Sequence, residues 1–204
     1  MLLPFFENNF PGKLIVVEGI SRSGKSTFIR ENLSKYFKNS INVSWNSYPC
    51  TKSIISHLKQ SNALSSWVYS LSHLLDYSMT YYNIILPALN EGKIVISDRY
   101  FYTSWVRDRI RGIDDKYLYD LFKNFLRPNV IYYLEVDAEE SLKRLKQSDK
   151  KLYKYNAGQE IFPELDLETS YIKYTKLQIE GYRKLIVDNS FTIDKDFNNL
   201  DRLF

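Results

Sequence analysis

The sequence is short of the residues that build disulfides and metal clusters. It has one cysteine, Cys50, and two histidines, His57 and His73, among 204 residues. One thiol allows neither an internal disulfide nor a thiolate cluster, and a zinc site finds no support in two histidines. Seven glycines and six prolines are never gathered into a tract, so no flexible linker divides the chain. Without an internal repeat either, the expectation is a single domain over 1–204. Long apolar runs are missing: none approaches the roughly 18–20 residues that cross a bilayer. The start, MLLPFFENNF, has no basic region and is broken by Pro4 and Glu7, so it does not read as a signal peptide. A strong charge imbalance is lacking as well. A net charge of +4 suits an anionic small molecule as well as nucleic acid. No basic helix or aromatic–basic platform supports nucleic acid as a partner. These absences point to a soluble cytoplasmic protein with no membrane partner.

What is present is alternation. Lys13–Glu18, Ile41–Trp45, Lys93–Asp98 and Asn129–Val136 are short runs rich in β-branched residues, and Ser190–Asp194 is a candidate fifth strand. Helical patterns separate them: 25–37, 51–60, a long stretch over 65–90 carrying Pro87, 114–125, 138–146 and 168–187. Strands alternating with helices imply an α/β fold with a parallel sheet covered on both faces, and ligands then bind beyond the carboxyl ends of the strands. The basic stretch with Lys150, Lys151 and Lys154 reads as a mobile loop, a short lid at about 147–160.

The first strand runs directly into Gly19-Ile-Ser-Arg-Ser-Gly24-Lys25-Ser26, which matches G-x-x-x-x-G-K-[ST] and opens a helix. Glycines let backbone N–H groups approach phosphates, and the helix N-terminus adds partial positive charge. Gly19, Ser21, Arg22, Ser23, Gly24, Lys25, Ser26 and Thr27 are therefore the candidate ATP-binding residues. Lys25 is placed to reach the β- and γ-phosphates, and the Ser26 hydroxyl to ligate Mg²⁺. Arg22 stands where a guanidinium stabilises charge spreading over a transferring phosphoryl group. The third strand ends in Asp98-Arg99-Tyr100 at the same sheet edge. Asp98 suits Mg²⁺ held through water, and Arg99 suits bidentate phosphate recognition.

These segments resemble the thymidylate kinase family over most of the chain. Val17-Glu18-Gly19 through Gly24-Lys25-Ser26-Thr27 is similar to its phosphate loop; Ile85-Leu-Pro-Ala-Leu89, Gly92 and Ile96-Ser-Asp-Arg-Tyr100 are similar to its P-A-L…G…S-D-R-[YF] segment. Val136 to Arg144 is similar to the D-x-x-x-x-x-L-x-R stretch before the lid. Tyr102-Thr103, Arg107-Asp108, Arg111-Gly112-Ile-Asp114 and Tyr155-Asn-Ala-Gly158 are more like an archaeal branch. The resemblance implies a P-loop nucleoside-monophosphate-kinase fold with a five-stranded parallel sheet. It also implies transfer of the ATP γ-phosphoryl group to dTMP, and a homodimer formed through the long helices. By the same resemblance Lys25, Ser26 and Arg22 serve ATP and the transferring group, Arg99 holds the monophosphate, and Arg144 packs on the adenine. Tyr100, Thr103, Arg107 and Asp108 line the acceptor side.

Three departures stand out. Ser21 replaces an aspartate that helps hold the acceptor. His73 and Tyr77, with Asp76 between them, stand where the family has a stacking phenylalanine and, four residues on, an arginine reading the thymine edge. Arg107-Asp108 replaces Tyr-Gln. Losing matched polar groups predicts weaker base discrimination. Two alternatives stay open at this level. One is a deoxynucleoside kinase, although Ser44–Cys50 lacks the carboxylate base that a hydroxyl acceptor needs. The other is a non-catalytic nucleotide-binding module.

Overall fold

The computed structural model describes residues 6–149 and 151–189. Four parallel strands, β1 (Lys13–Glu18), β2 (Ile41–Ser44), β3 (Ile94–Asp98) and β4 (Val130–Tyr133), lie in the order β2-β3-β1-β4. The expected fifth strand at 190–194 falls outside the described residues. The register sets Val17 of β1 beside Asp98 of β3, and Ser44 of β2 beside the same Asp98. The carboxyl ends of the three strands are therefore level. The connections after β1 and β3, which are neighbours, leave in opposite directions, and that opens a crevice at this edge.

Both faces are covered, as the continuously apolar strands require. Helix α1 (residues 25–36) packs Ile29 and Leu33 onto Ile15, Val17, Ile96 and Tyr132. Leu14, Val16 and Val95 point to the other face. There α3 (residues 66–90), α4 (Phe101–Ile110), α5 (Asp115–Phe122) and α8 (Leu167–Asn189) bury Tyr77, Trp105, Leu118 and Tyr182. Each fully buried large side chain of this kind contributes roughly 1.5–3 kcal/mol. Helix α2 (Pro49–Gln60) begins on Pro49, whose missing N–H is no loss in the first turn. Helix α3 is continuous through a π-helical turn, Tyr81–Ile85, directly before Pro87, whose ring breaks the regular ladder. Asp114 caps α5 by accepting from the backbone N–H groups of Lys116 and Tyr117.

Helix α4 is an element the sequence pattern hides. Phe101 through Val106 are all buried, so the stretch has no polar face and no 3.6-residue alternation to read. The segment at 147–160, expected to form a lid, follows α6 (Ala138–Lys146). It contains one helical turn, α7 (Lys154–Ala157), and is otherwise irregular before Asp166 caps α8.

Candidate active site

The loop after β1 is shaped by close approach. At Gly19, with φ 143°, a Cβ would lie 2.5 Å from the Leu134 carbonyl oxygen, so only glycine fits. Arg22 (φ 60°) and Gly24 (φ 94°) then curl the chain into the N-terminus of α1. Lys25 folds back into this curl, its Nζ donating to the Ile20 carbonyl at 2.6 Å and to Ser23 Oγ at 3.2 Å. Burial pushes its ammonium well below the usual lysine range, and the Arg99 charge pushes the same way. The loop thus presents a cation that an incoming polyphosphate would stabilise. Ser26 Oγ donates to Asp98 Oδ2 at 2.7 Å, which joins the phosphate loop to the end of β3.

Arg99 sits in the left-handed region at φ 76°, a conformation that costs a non-glycine residue about 1–3 kcal/mol. What holds it is specific. Its N–H donates to the Val17 carbonyl at 2.9 Å. Its Nη1 donates to the Gly19 carbonyl at 2.7 Å and to Thr103 Oγ1 at 3.1 Å. Beneath it, fully buried Glu18 accepts from the Tyr100 N–H and from the Thr103 and Tyr182 hydroxyls. Burial raises the Glu18 carboxyl above its ordinary range, against the opposing pull of Arg99. This carboxylate welds β1, α4 and α8 together under the crevice.

Two cavities open on these groups. One, about 530 Å³, is lined by Ser21, Arg22, Gly24, Lys25, Ser26 and Thr27 of the loop, and by Asp98, Arg99 and Arg144. The second, about 480 Å³, is lined in part by the segment at 147–160. It shares Ser21, Arg22 and Arg99 with the first, and adds Lys59, Arg107 and Lys151 as further cations. Its aromatic walls are Trp45, Tyr153, Tyr155, Tyr171 and Tyr174, and no carboxylate is among the described residues that line it. The two sites therefore meet at one serine and two arginines. Arg22 Nη2 donates to Ser148 Oγ of that segment at 2.8 Å, while its carbonyl accepts from Arg144 Nη1 at 3.1 Å. A third cavity, about 730 Å³, borders the first at Ser26 and Asp98.

A family model described as thymidylate kinase matches residues 17–198. The chain belongs to the thymidylate kinase family. A probable thymidylate kinase 2 from Saccharolobus solfataricus is 34% identical over 189 residues, covering 92% of this chain and 89% of the relative. A probable thymidylate kinase from Thermococcus onnurineus is 32% identical over 143 residues, covering 64% and 70% of the two chains. The crystal structure of thymidylate kinase from Ehrlichia chaffeensis superposes with a TM-score of 0.56 at 20% identity, over 85% of this chain and 98% of that one. That likeness supports the fold.

Against the thymidylate kinase pattern, the residues expected at the phosphate end gather in one cavity, while those expected around the base do not. His73 is buried between Tyr69, with ring centroids 4.1 Å apart, and Trp45, at 4.5 Å. Its Nδ1 donates to the Tyr69 carbonyl at 2.8 Å, and burial holds the ring well below the usual histidine range, so it is neutral. Asp76 accepts from the N–H groups of Asn46 and Tyr48 and from the Thr51 hydroxyl, and so ties down the loop after β2. Tyr77 is buried in the core with no hydrogen-bond partner for its hydroxyl among the described residues. Tyr100 is fully buried, its hydroxyl donating to the Leu126 carbonyl. Of these expected acceptor-side residues only Arg99 and Arg107 line the second cavity; Thr103 acts through Arg99. Trp45, Lys59 and Tyr153 carry no motif, while Tyr155 opens the Tyr155-Asn-Ala-Gly158 segment that is like the archaeal branch. A lone tryptophan after an edge strand gives no signal of its own. Lys151 lines the cavity, whereas Lys154 donates to Asn62 Oδ1 at 2.9 Å on the α2–α3 connection, and Lys150 falls outside the described residues.

Asp108 is fully buried. One carboxylate oxygen accepts from Ser70 Oγ at 2.8 Å, and the other has no partner among the described residues. Burial pushes its carboxyl from an ordinary 3.8 up to about 6. The folded state then binds more protons than the unfolded state across that interval, so Asp108 makes stability fall as pH rises from about 4 to about 6. Asp108→Asn should remove this contribution. The unfolding free energy of the wild type relative to the variant should drop by on the order of 3 kcal/mol over the window, by denaturant titration. A pH-independent difference would contradict the assignment.

Proposed function

We propose that this chain transfers the γ-phosphoryl group of ATP to dTMP, giving ADP and dTDP. The observation that carries this reading is the pair of cavities meeting at Ser21, Arg22 and Arg99. The first supports a polyphosphate donor held by loop N–H groups and Lys25. The second supports a phosphate dianion facing Arg99. An oxygen of the acceptor phosphate bonds to the γ-phosphorus while the bond from that phosphorus to its bridging oxygen breaks, and the electron pair leaves with ADP. Arg22, Lys25 and Arg99 surround the region where charge spreads during this step, so positioning and electrostatics supply the catalysis.

The Ser26 hydroxyl and the Asp98 carboxylate, 2.7 Å apart at the edge of the phosphate cavity, are hard oxygen donors that fit Mg²⁺. The ion would neutralise phosphate charge there. Arg144, which lines the same cavity, would cover the adenine. Contacts between the segment at 147–160 and Arg22, and between Lys154 or Tyr155 and Asn62, support its role as a lid that excludes water. The cationic second cavity, with no carboxylate among the described residues that line it to deprotonate a hydroxyl, argues against a nucleoside acceptor. With the helix α3 positions buried and Ser21 in place of an acid, acceptor use extends beyond dTMP. No helix among the described residues is long and apolar enough to cross a membrane, and a cytoplasmic homodimer completes the reading. Trp67, Leu71, Leu75 and Tyr82 form a half-exposed apolar stripe along one face of α3 that a second copy would cover; sedimentation as a monomer would oppose this.

The test is ADP release from MgATP on adding dTMP, followed by dUMP, dCMP, dGMP and dAMP under the same conditions. Turnover with dTMP and at least one further monophosphate is expected. No monophosphate-dependent release would remove the kinase reading, and release with dTMP alone would remove the broader specificity.

A further inference from the structure

With His73 and Tyr77 buried under Trp45, helix α3 offers no side chain to the acceptor cavity, and the base must be read from another wall. Arg107 is on that wall. Thr103, which touches Arg99, lies one helical turn before it on α4, so Arg107 stands about 6 Å further from the phosphate end along the helix. Its guanidinium is fixed on three sides. Nε donates to Gln178 Oε1 at 3.0 Å, Nη1 donates to Tyr69 OH at 3.4 Å, and the group lies 4.9 Å from the centre of the Trp45 ring. Gln178 is itself oriented, its amide donating to the Tyr174 carbonyl at 3.4 Å. Nη2 has no hydrogen-bond partner among the described residues, and Arg107 lines the cavity.

Resting on the kinase reading above, we propose that Arg107 is the specificity-determining residue for the acceptor base, selecting 4-oxo pyrimidine nucleotides over 4-amino ones. A guanidinium only donates, so it matches a carbonyl edge and opposes an amino group, which also only donates. Lys59 and Lys151, which also line this cavity, have the same donor-only character. A prearranged buried donor left facing another donor discriminates far more strongly than a missing methyl does. The expected order is therefore dTMP and dUMP together, with dCMP well behind. Gln178 is a positioning residue for Arg107.

The experiment compares kcat/KM for dTMP, dUMP and dCMP in the wild type, Arg107→Met and Gln178→Leu, with KM for ATP and thermal melting measured alongside. The wild type should prefer dTMP to dCMP by about a hundredfold or more. Arg107→Met should bring that ratio to within about tenfold by losing dTMP activity while dCMP activity holds. Gln178→Leu, which keeps the arginine but frees it, should give an intermediate ratio, and it decides the matter if Arg107→Met does not fold. An unchanged ratio, or equal losses for both acceptors, overturns the proposal. Wild type that turns over no monophosphate defeats instead the kinase reading on which it rests.

Discussion

Lys25→Ala is expected to lower kcat/KM by about a thousandfold or more, the range found when a charge aimed at a phosphoryl-transfer transition state is removed. Stability should not fall with it. The Lys25 ammonium is buried with neutral partners, Ile20 O and Ser23 Oγ, and burial already disfavours its charge. A buried cation without a paired anion costs folding free energy, so trimming it leaves the melting temperature unchanged or higher. Steady-state kinetics with MgATP and dTMP, run beside thermal melting, check both halves. A variant with near-native turnover would show that this loop does not hold the donor. A variant inactive only because it is unfolded would show that the lysine is part of the scaffold.

Arg99 separates function from backbone strain in a second way. Arg99→Ala and Arg99→Gly should both reduce dTMP-dependent turnover by about a thousandfold, since each removes the guanidinium shared by the two cavities. The effect on KM for ATP should be much smaller. The two variants should differ in stability, because residue 99 sits at φ 76°. Alanine keeps the Cβ that this conformation disfavours, while glycine does not, so Arg99→Gly should be the more stable by about 1 kcal/mol. Equal stability would mean that the local strain is relieved elsewhere. A defect confined to ATP affinity would remove Arg99 from the acceptor side.

How much of this was legible beforehand depended on whether a residue's role is local in the chain. Gly19 to Thr27 could be read because phosphate binding needs glycines, a lysine and a hydroxyl at fixed spacing on one strand–turn–helix. Asp98-Arg99 could be read because they end a continuously apolar strand. The nine described residues that line the first cavity all come from such segments or from the Arg144 position of the family pattern. The parallel sheet covered on both faces followed from alternation alone. The second cavity was harder. Its walls come from Trp45 in the loop after β2, Arg107 in α4, four side chains of the segment at 147–160 and four of α8, and their meeting is a tertiary fact. Helix α4 was hidden because Phe101 through Val106 are all buried and show no 3.6-residue alternation. His73, Asp76 and Tyr77 occupy the family's base-reading positions in the sequence, yet a tryptophan from β2's exit packs over the histidine, and Asp76 serves that same loop. Sequence position carried the register of α3 but not what covers it.

If donor and acceptor sites adjoin at Ser21, Arg22 and Arg99, the phosphoryl group passes directly between them. The most direct measurement is inhibition by a single molecule joining adenosine and thymidine through a five-phosphate chain. Spanning both cavities, it should compete with ATP and with dTMP alike, and bind more tightly than either nucleotide. Competition with only one of the two substrates, at ordinary nucleotide affinity, would contradict a shared wall between the sites.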